Sequence, residues 1–236
     1  MERGRTGMSS SWAASALSWW QEAGVDTLVD ESPRDWLNPA GKAPAAAERA
    51  ITLPATLEAF QNWLMASDTP PLAPLSARRL GPSGDPAKGL MVLVDMPSAG
   101  DLEAGNLLSG AAGELFDRMI RAIGLDRDSL YLASLAPFCA PAGTLDAKLC
   151  AALAPLALHH VGLVKPKAVL LFGDICSKAL LGDGVLAARA RWHALETPTG
   201  PVRTLATIRP ENLLKHPGQK KAAWEDLQML KKELES

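Results

Sequence analysis

From residue 88 onward, short unbroken apolar runs alternate with helix-period segments, and that alternation restricts the chain to one class of fold. The runs are GLMVLVDMP (89–97), SLYLASLAP (129–137), KAVLLFG (167–173) and PVRTLATIRP (201–210). Each reads as a strand, and GLMVLVDMP is a short continuous apolar run ending in a polar residue and Pro, as a buried parallel strand requires. Between and after them lie GAAGELFDRMIRAIGL (110–125), LDAKLCAALAPLALHHVGLV (145–164), DICSKALLG (174–182) and GQKKAAWEDLQMLKKELE (218–235), all with helical spacing. Pro155 falls inside the second helix and predicts a kink there. The Lys and Glu residues of the closing helix read as a solvated face. The pattern predicts an α/β fold: a three-layer sandwich in which a four-stranded parallel sheet carries helices on both faces.

Upstream the pattern is weaker. Residues 10–23 (SSWAASALSWWQEA) read as an amphipathic helix, with Trp12, Leu17, Trp19 and Trp20 on its apolar surface and Gly24 to end it. Its tryptophans either pack on the main domain or anchor a protein partner. Residues 30–52 are rich in Pro, Ala and charge and read as a linker. The expected organisation is an N-terminal helix and linker over 1–52 and one domain over 53–236. Within that domain, Leu53, Leu57, Phe60 and Leu64 form a helical stripe, followed by a breaker-rich loop over 68–89.

Charge and cysteine content narrow the chemistry. A net charge of -2 provides no general attraction to nucleic acid, so any DNA contact has to come from a local patch. The three cysteines, Cys139, Cys150 and Cys176, include no CxxC pair, and they are too few for a disulfide framework or a four-thiolate metal site. No metal or cofactor is expected, and the cysteines read as small core or loop residues. No uninterrupted apolar run reaches membrane-spanning length, and the leader MERGRTGMSS lacks a signal-peptide core. The expectation is a cytoplasmic protein with no membrane association.

Sites on parallel sheets lie beyond the carboxyl ends of the strands. Four segments meet that description: Asp95 to Ser98, Ser134 to Pro141, Gly173-Asp174 and Ile208 to Pro210. Four longer stretches carry a family resemblance. They are GNLLSGAAGELFDRMIRAIGL (105–125), KPKAVLLFGDICSKALLG (165–182), ARARWH (188–193), and TIRPENLLKHP followed by AAWEDLQ (207–228). In this order and spacing they resemble the uracil-DNA glycosylase superfamily, in particular the bacterial iron-sulfur type called family four. The resemblance covers about residues 88–235.

The resemblance implies a protein that extrudes a uracil nucleotide and hydrolyses its N-glycosidic bond. Such chemistry uses a carboxylate to position water, a His to stabilise the leaving base, an aromatic ring to stack on it and an amide to read its edge. Carried over onto this chain, the carboxylate is Asp95, within Val94-Asp95-Met96-Pro97-Ser98, where the family has Gly-Glu-Ala-Pro-Gly. Met96 and Pro97 line the implied base pocket. The stacking Phe becomes Leu108, the base-reading Asn becomes Ser134, and the His becomes Arg209. The implied DNA contacts are Arg189, Arg191, Leu213, Leu214 and Lys215, with the leucines as a wedge. Cys139 and Cys150 lie near two of the family's four cluster ligands, and the other pair is missing.

Each residue also has a plainer role open to it. Asp95 can cap a helix or order a loop, Arg209 can bind a phosphate or a carboxylate, and Leu213 and Leu214 can pack on the closing helix. His193 and His216 read as surface or core histidines, and His159-His160 suits the negative end of a helix. Two functions follow. One is a non-catalytic subunit of DNA replication or repair, similar in kind to the clamp-loader psi subunit, with the Trp12, Trp19 and Trp20 helix as its partner-binding arm. The other is an active, divergent glycosylase using Asp95 and Arg209. Nucleotide binding is a remote third, since no GxGxxG or P-loop occurs.

Overall fold

The computed structural model of the chain describes residues 52–72, 78–140 and 143–235, together with Ser15, Ser18 and Trp19. Those last three are helical, and Trp19 is exposed. The rest of the expected N-terminal helix, including Trp12 and Trp20, and residues 30–51 of the expected linker lie outside the described residues.

The main unit begins with α1 (Leu57–Ala66), whose N-cap Thr56 accepts from the Ala59 amide. The central strands follow as β2 (Leu90–Val94), β3 (Tyr131–Ser134), β4 (Ala168–Phe172) and β6 (Gly200–Thr207). Before them comes β1 (Ser83–Gly84), and β5 (Trp192–Thr197) precedes β6. The sheet order is β1-β3-β2-β4-β6-β5. The four inner strands are parallel, as expected, in the order β3-β2-β4-β6. The two outer strands are antiparallel to their neighbours, which makes the sheet six-stranded and mixed rather than four-stranded.

The edges escaped the sequence pattern for physical reasons. β1 has two residues and sits inside a Pro/Gly-rich loop, so it has no period to read. β5 carries His193, Glu196 and Thr197 among its apolar residues, because it is the edge strand and Leu195 is its single buried residue.

Helices cover both faces. On one side α1, α4 (Ala147–Val164), α5 (Asp174–Leu181) and α6 (Val185–Ala188) pack against Met91, Leu93, Tyr131, Ala133, Val169, Leu171 and Ala206. On the other, α3 (Gly110–Ala122) and α8 (Lys220–Leu234) pack against Leu90, Val92, Leu130, Leu132, Leu170, Phe172 and Leu205. Successive residues of β2, β3 and β4 therefore enter opposite cores, which is why these strands are apolar without alternation, whereas only the second half of β6 is buried throughout. Two short helices, α2 (Ala99–Ala104) and α7 (Pro210–Lys215), follow directly on strand ends. α4 is long and apolar enough to cross a membrane by length and composition, yet Leu153, Leu156 and Val161 fill the core. It runs through Pro155 as one helix.

His160 departs from its expected place as a cation at a helix end. It is 3% exposed and shares a 2.9 Å hydrogen bond with the Tyr131 hydroxyl, which accepts another at 2.7 Å from the Gln61 amide. His159 Nε2 hydrogen-bonds the Pro54 carbonyl at 2.8 Å. These bonds tie α1 and its leading segment to α4 and β3. Burial, with His159 beside it, pushes the His160 pKa down to about 4, so the ring is neutral in the fold.

An unfolded chain protonates this histidine near its ordinary value while the folded chain resists, so stability falls as the pH drops through that window. The loss between pH 6.5 and about 4 is expected to reach roughly 3 kcal/mol. Urea midpoints across this range check it: His160→Gln should give a visibly flatter profile than the wild-type chain.

Candidate functional site

The register of the parallel strands brings the candidate residues to one end of the sheet. Val94, Phe172 and Thr207 are lateral neighbours on β2, β4 and β6. The residues just beyond them, Asp95, Gly173 and Ile208-Arg209, thus leave the sheet side by side at its carboxyl edge. This is where a parallel sheet splays and admits polar side chains.

Asp95 and Arg209 form an ion pair there. Arg209 Nη1 donates to Asp95 Oδ2 at 3.0 Å, across 114 positions of sequence. The other carboxylate oxygen, Oδ1, accepts the Cys176 backbone amide at 2.7 Å. Cys176 lies in the first turn of α5, whose N-cap Gly173 supplies no side chain, so Asp95 serves that helix as a capping carboxylate from another strand. Arg209 holds a second carboxylate: its Nε and Nη2 reach Glu211 at 3.3 and 3.2 Å. Asp95 is 2% exposed. Burial pushes its carboxyl above the ordinary carboxylate range, against the pull of the Cys176 amide and the Arg209 guanidinium.

Gly173 makes the pair possible. Its φ is +119°, and a Cβ there would lie 2.3 Å from Asp95 Oδ2 and 2.7 Å from Arg209 Cδ. No other residue type suits this turn. The sequence signal is the strand-Gly-helix junction, although the clash it avoids is invisible without the fold.

The remaining candidates do not gather around this pair. Ser134 ends β3 beside Val94, but lines a separate small crevice with Leu64, Leu80, Pro137 and His160. Leu108 is buried in the core with Phe116 and Phe172, at a φ of +53°. It also borders an open cleft of about 610 Å³ beside Ser83, Gly84, Ser109, Gly110 and Arg127. Neither of these two cavities is lined by Asp95 or Arg209. Met96 belongs to the core beneath α4, and Pro97 is buried.

The expected DNA contacts divide. Arg189 is turned inward: its Nε and Nη2 each reach the Asp226 carboxylate at 3.1 Å, and Nη2 also reaches the Ala222 carbonyl. Leu213 is 1% exposed and packs with Ile208 and Ala223, so the expected wedge retains one exposed leucine, Leu214, next to exposed Lys215. Arg191 is on the surface, paired with Asp183 at 3.0 Å. His193 Nε2 bonds the Ala188 carbonyl at 2.7 Å, and His216 is exposed.

Two organising carboxylates gave no distinctive sequence signal. Asp101 forms a capping box with Ser98 and also accepts the Ser109 amide at 2.7 Å and hydroxyl at 2.6 Å, which closes the loop after β2. Asp226, with no exposed surface, accepts from Thr207, Arg189 and the Ala190 amide, and so fastens the segment before β5 to α8.

The iron-sulfur cluster implied by the resemblance does not fit. A cubane takes four thiolates, and this chain has three cysteines. Cys176 is fully buried against Asp95, while the thiols of Cys139 and Cys150 face the carbonyls of Ala140 and Leu145. Among the described residues no group of three or more His, Cys, Asp or Glu side chains is arranged to hold a metal ion.

Asp226→Ala would leave Arg189 and Thr207 without their buried partner and is expected to cost about 3–5 kcal/mol in urea unfolding. Gly173→Ala should lose about 2 kcal/mol or more, from the backbone conformation and from displacing the Asp95–Arg209 pair.

A family model described as the uracil DNA glycosylase superfamily matches residues 82–228, a range that holds the whole sheet, Asp95 and Arg209. A type-4 uracil-DNA glycosylase of Pyrobaculum aerophilum is 25% identical over 127 residues, covering 53% of this chain and 64% of the relative's length. The family model spans more than half of the chain, so the chain belongs to the uracil-DNA glycosylase superfamily and resembles its family-four members.

Proposed function

We propose that this chain is a non-catalytic member of its superfamily, acting in the cytoplasm as a DNA- and protein-binding subunit in replication or repair. The observation that carries this reading is the buried Asp95–Arg209 pair. A water-positioning carboxylate needs a free oxygen facing the sugar, but both Asp95 oxygens are engaged and solvent scarcely reaches them. A donor for the departing base needs an N–H aimed at an empty space. Arg209 instead directs its donors at Asp95 and Glu211. Separating a buried pair costs about 3–5 kcal/mol, or roughly two to four orders of magnitude in rate if it had to open for each base.

The retained fold then serves as a binding scaffold, in the manner of the clamp-loader psi subunit. The segment bearing Trp12, Trp19 and Trp20, whose sequence pattern is that of an amphipathic helix, is its partner-binding arm. Deleting residues 9–24 should remove a replication or repair partner from co-purification and leave the thermal melting of the main unit in place. Undiminished partner recovery would count against the arm.

The decisive measurement is excision itself. Purified protein incubated with a uracil-containing single strand should leave no alkali-labile sites above background. Turnover that disappears in Asp95→Asn would establish the other reading, an active divergent glycosylase.

A further inference from the structure

We propose that the outer face of the first two turns of α8, where Trp224 follows Lys220 and Lys221 by one turn, is a docking surface for single-stranded nucleic acid. Ala223, Asp226, Leu227 and Leu230 make the buried side of this helix. Trp224 flanks that side and is 40% exposed, one of few large apolar side chains in that condition among the described residues. Lys220 and Lys221 precede it by four and three positions, so all three share one helical face. Helical side chains lean toward the N-terminus, which sets the indole over the turn that holds the lysines.

The fold does not account for these lysines. Among the described residues neither forms an ion pair, because Glu225, the helical partner expected for Lys221, is directed at Arg189 at 3.6 Å. Cations in a first turn also oppose the helix dipole, and this turn has no acidic residue to offset them. The face is therefore more than the solvated surface that the Lys-Glu spacing predicts. Exposed Lys215 and His216 extend it from the end of α7, across the short Pro217–Gln219 turn.

Charge complementarity selects the occupant. Lysines are point charges that suit a phosphate backbone without reading bases. An exposed indole offers a stacking platform that only an unpaired base can use. The chain as a whole carries -2, so this attraction is local and depends on salt.

The surface rests on the proposed function only in taking DNA as a partner, and it is tested on uracil-free strand so that the two stand or fall separately. Fluorescence anisotropy of a labelled oligothymidylate of about 15 nucleotides, titrated with the full chain between about 50 and 200 mM NaCl, supplies the readout. The wild-type chain should bind the strand and prefer it to a duplex of equal length. The Lys220→Gln/Lys221→Gln double variant should reduce the slope of log affinity against log salt by about 1.4. Trp224→Ala should weaken binding roughly five- to a hundredfold, with Trp224→Phe recovering part of the loss. Unchanged urea midpoints would show that these exposed variants remain folded. Absence of binding at the lower salt, an unchanged slope or wild-type affinity in Trp224→Ala would overturn the proposal. Uracil excision would overturn the non-catalytic reading and leave this surface untouched.

Discussion

The carboxyl edge of the sheet is organised by one contact, the ion pair between Asp95 on the exit of β2 and Arg209 on the exit of β6. It spans β4, and Gly173 at the end of β4 has no side chain, so the two groups meet above it. Asp95 simultaneously caps α5, the helix that leaves β4. Three parallel strands and one helix start are thereby locked by two side chains and one amide. A buried pair of this kind adds little net stability over an apolar filling, but losing either partner is costly. The contact thus joins the exits of β2 and β6 across the end of β4.

Superfamily membership rests on the match over residues 82–228, which contain the whole sheet. At the strand tips the chain places the Arg209 guanidinium between two of its own carboxylates, Asp95 and Glu211. Arg209 is long enough to reach back to Asp95 and forward to Glu211, which a shorter side chain at that position would not do. Elsewhere the fold uses buried carboxylates as fasteners. Asp101 closes the loop after β2, and Asp226 holds the segment before β5 against α8.

Much of the architecture was legible in the sequence because β2, β3, β4 and the second half of β6 are buried on both faces. β2, β3, β4 and β6 stand out as apolar runs, and α3, α4, α5 and α8 as periodic segments between them. β1 and β5 were not legible, since an edge strand with at most one buried residue resembles loop, and α2, α6 and α7 span too few residues to show a period. At the site, Asp95 and Arg209 were identifiable from their places after strands. That Arg189 and Leu213 face inward was not, because an arginine or leucine near a strand end reads the same whether it meets solvent, DNA or a buried carboxylate.

By itself the sequence determined the class of fold, the direction of its inner strands, the end of the sheet where a site must lie and the shortage of thiolates for a cluster. These follow from local composition and periodicity, which act over a few residues and need no knowledge of what lies across the core. Only the tertiary structure decided that Asp95 and Arg209 meet, that Gly173 leaves the room for them, and that His160 is neutral while Trp224 is exposed. Those outcomes depend on distances between groups far apart in the chain, and electrostatic and packing energies are set by such distances.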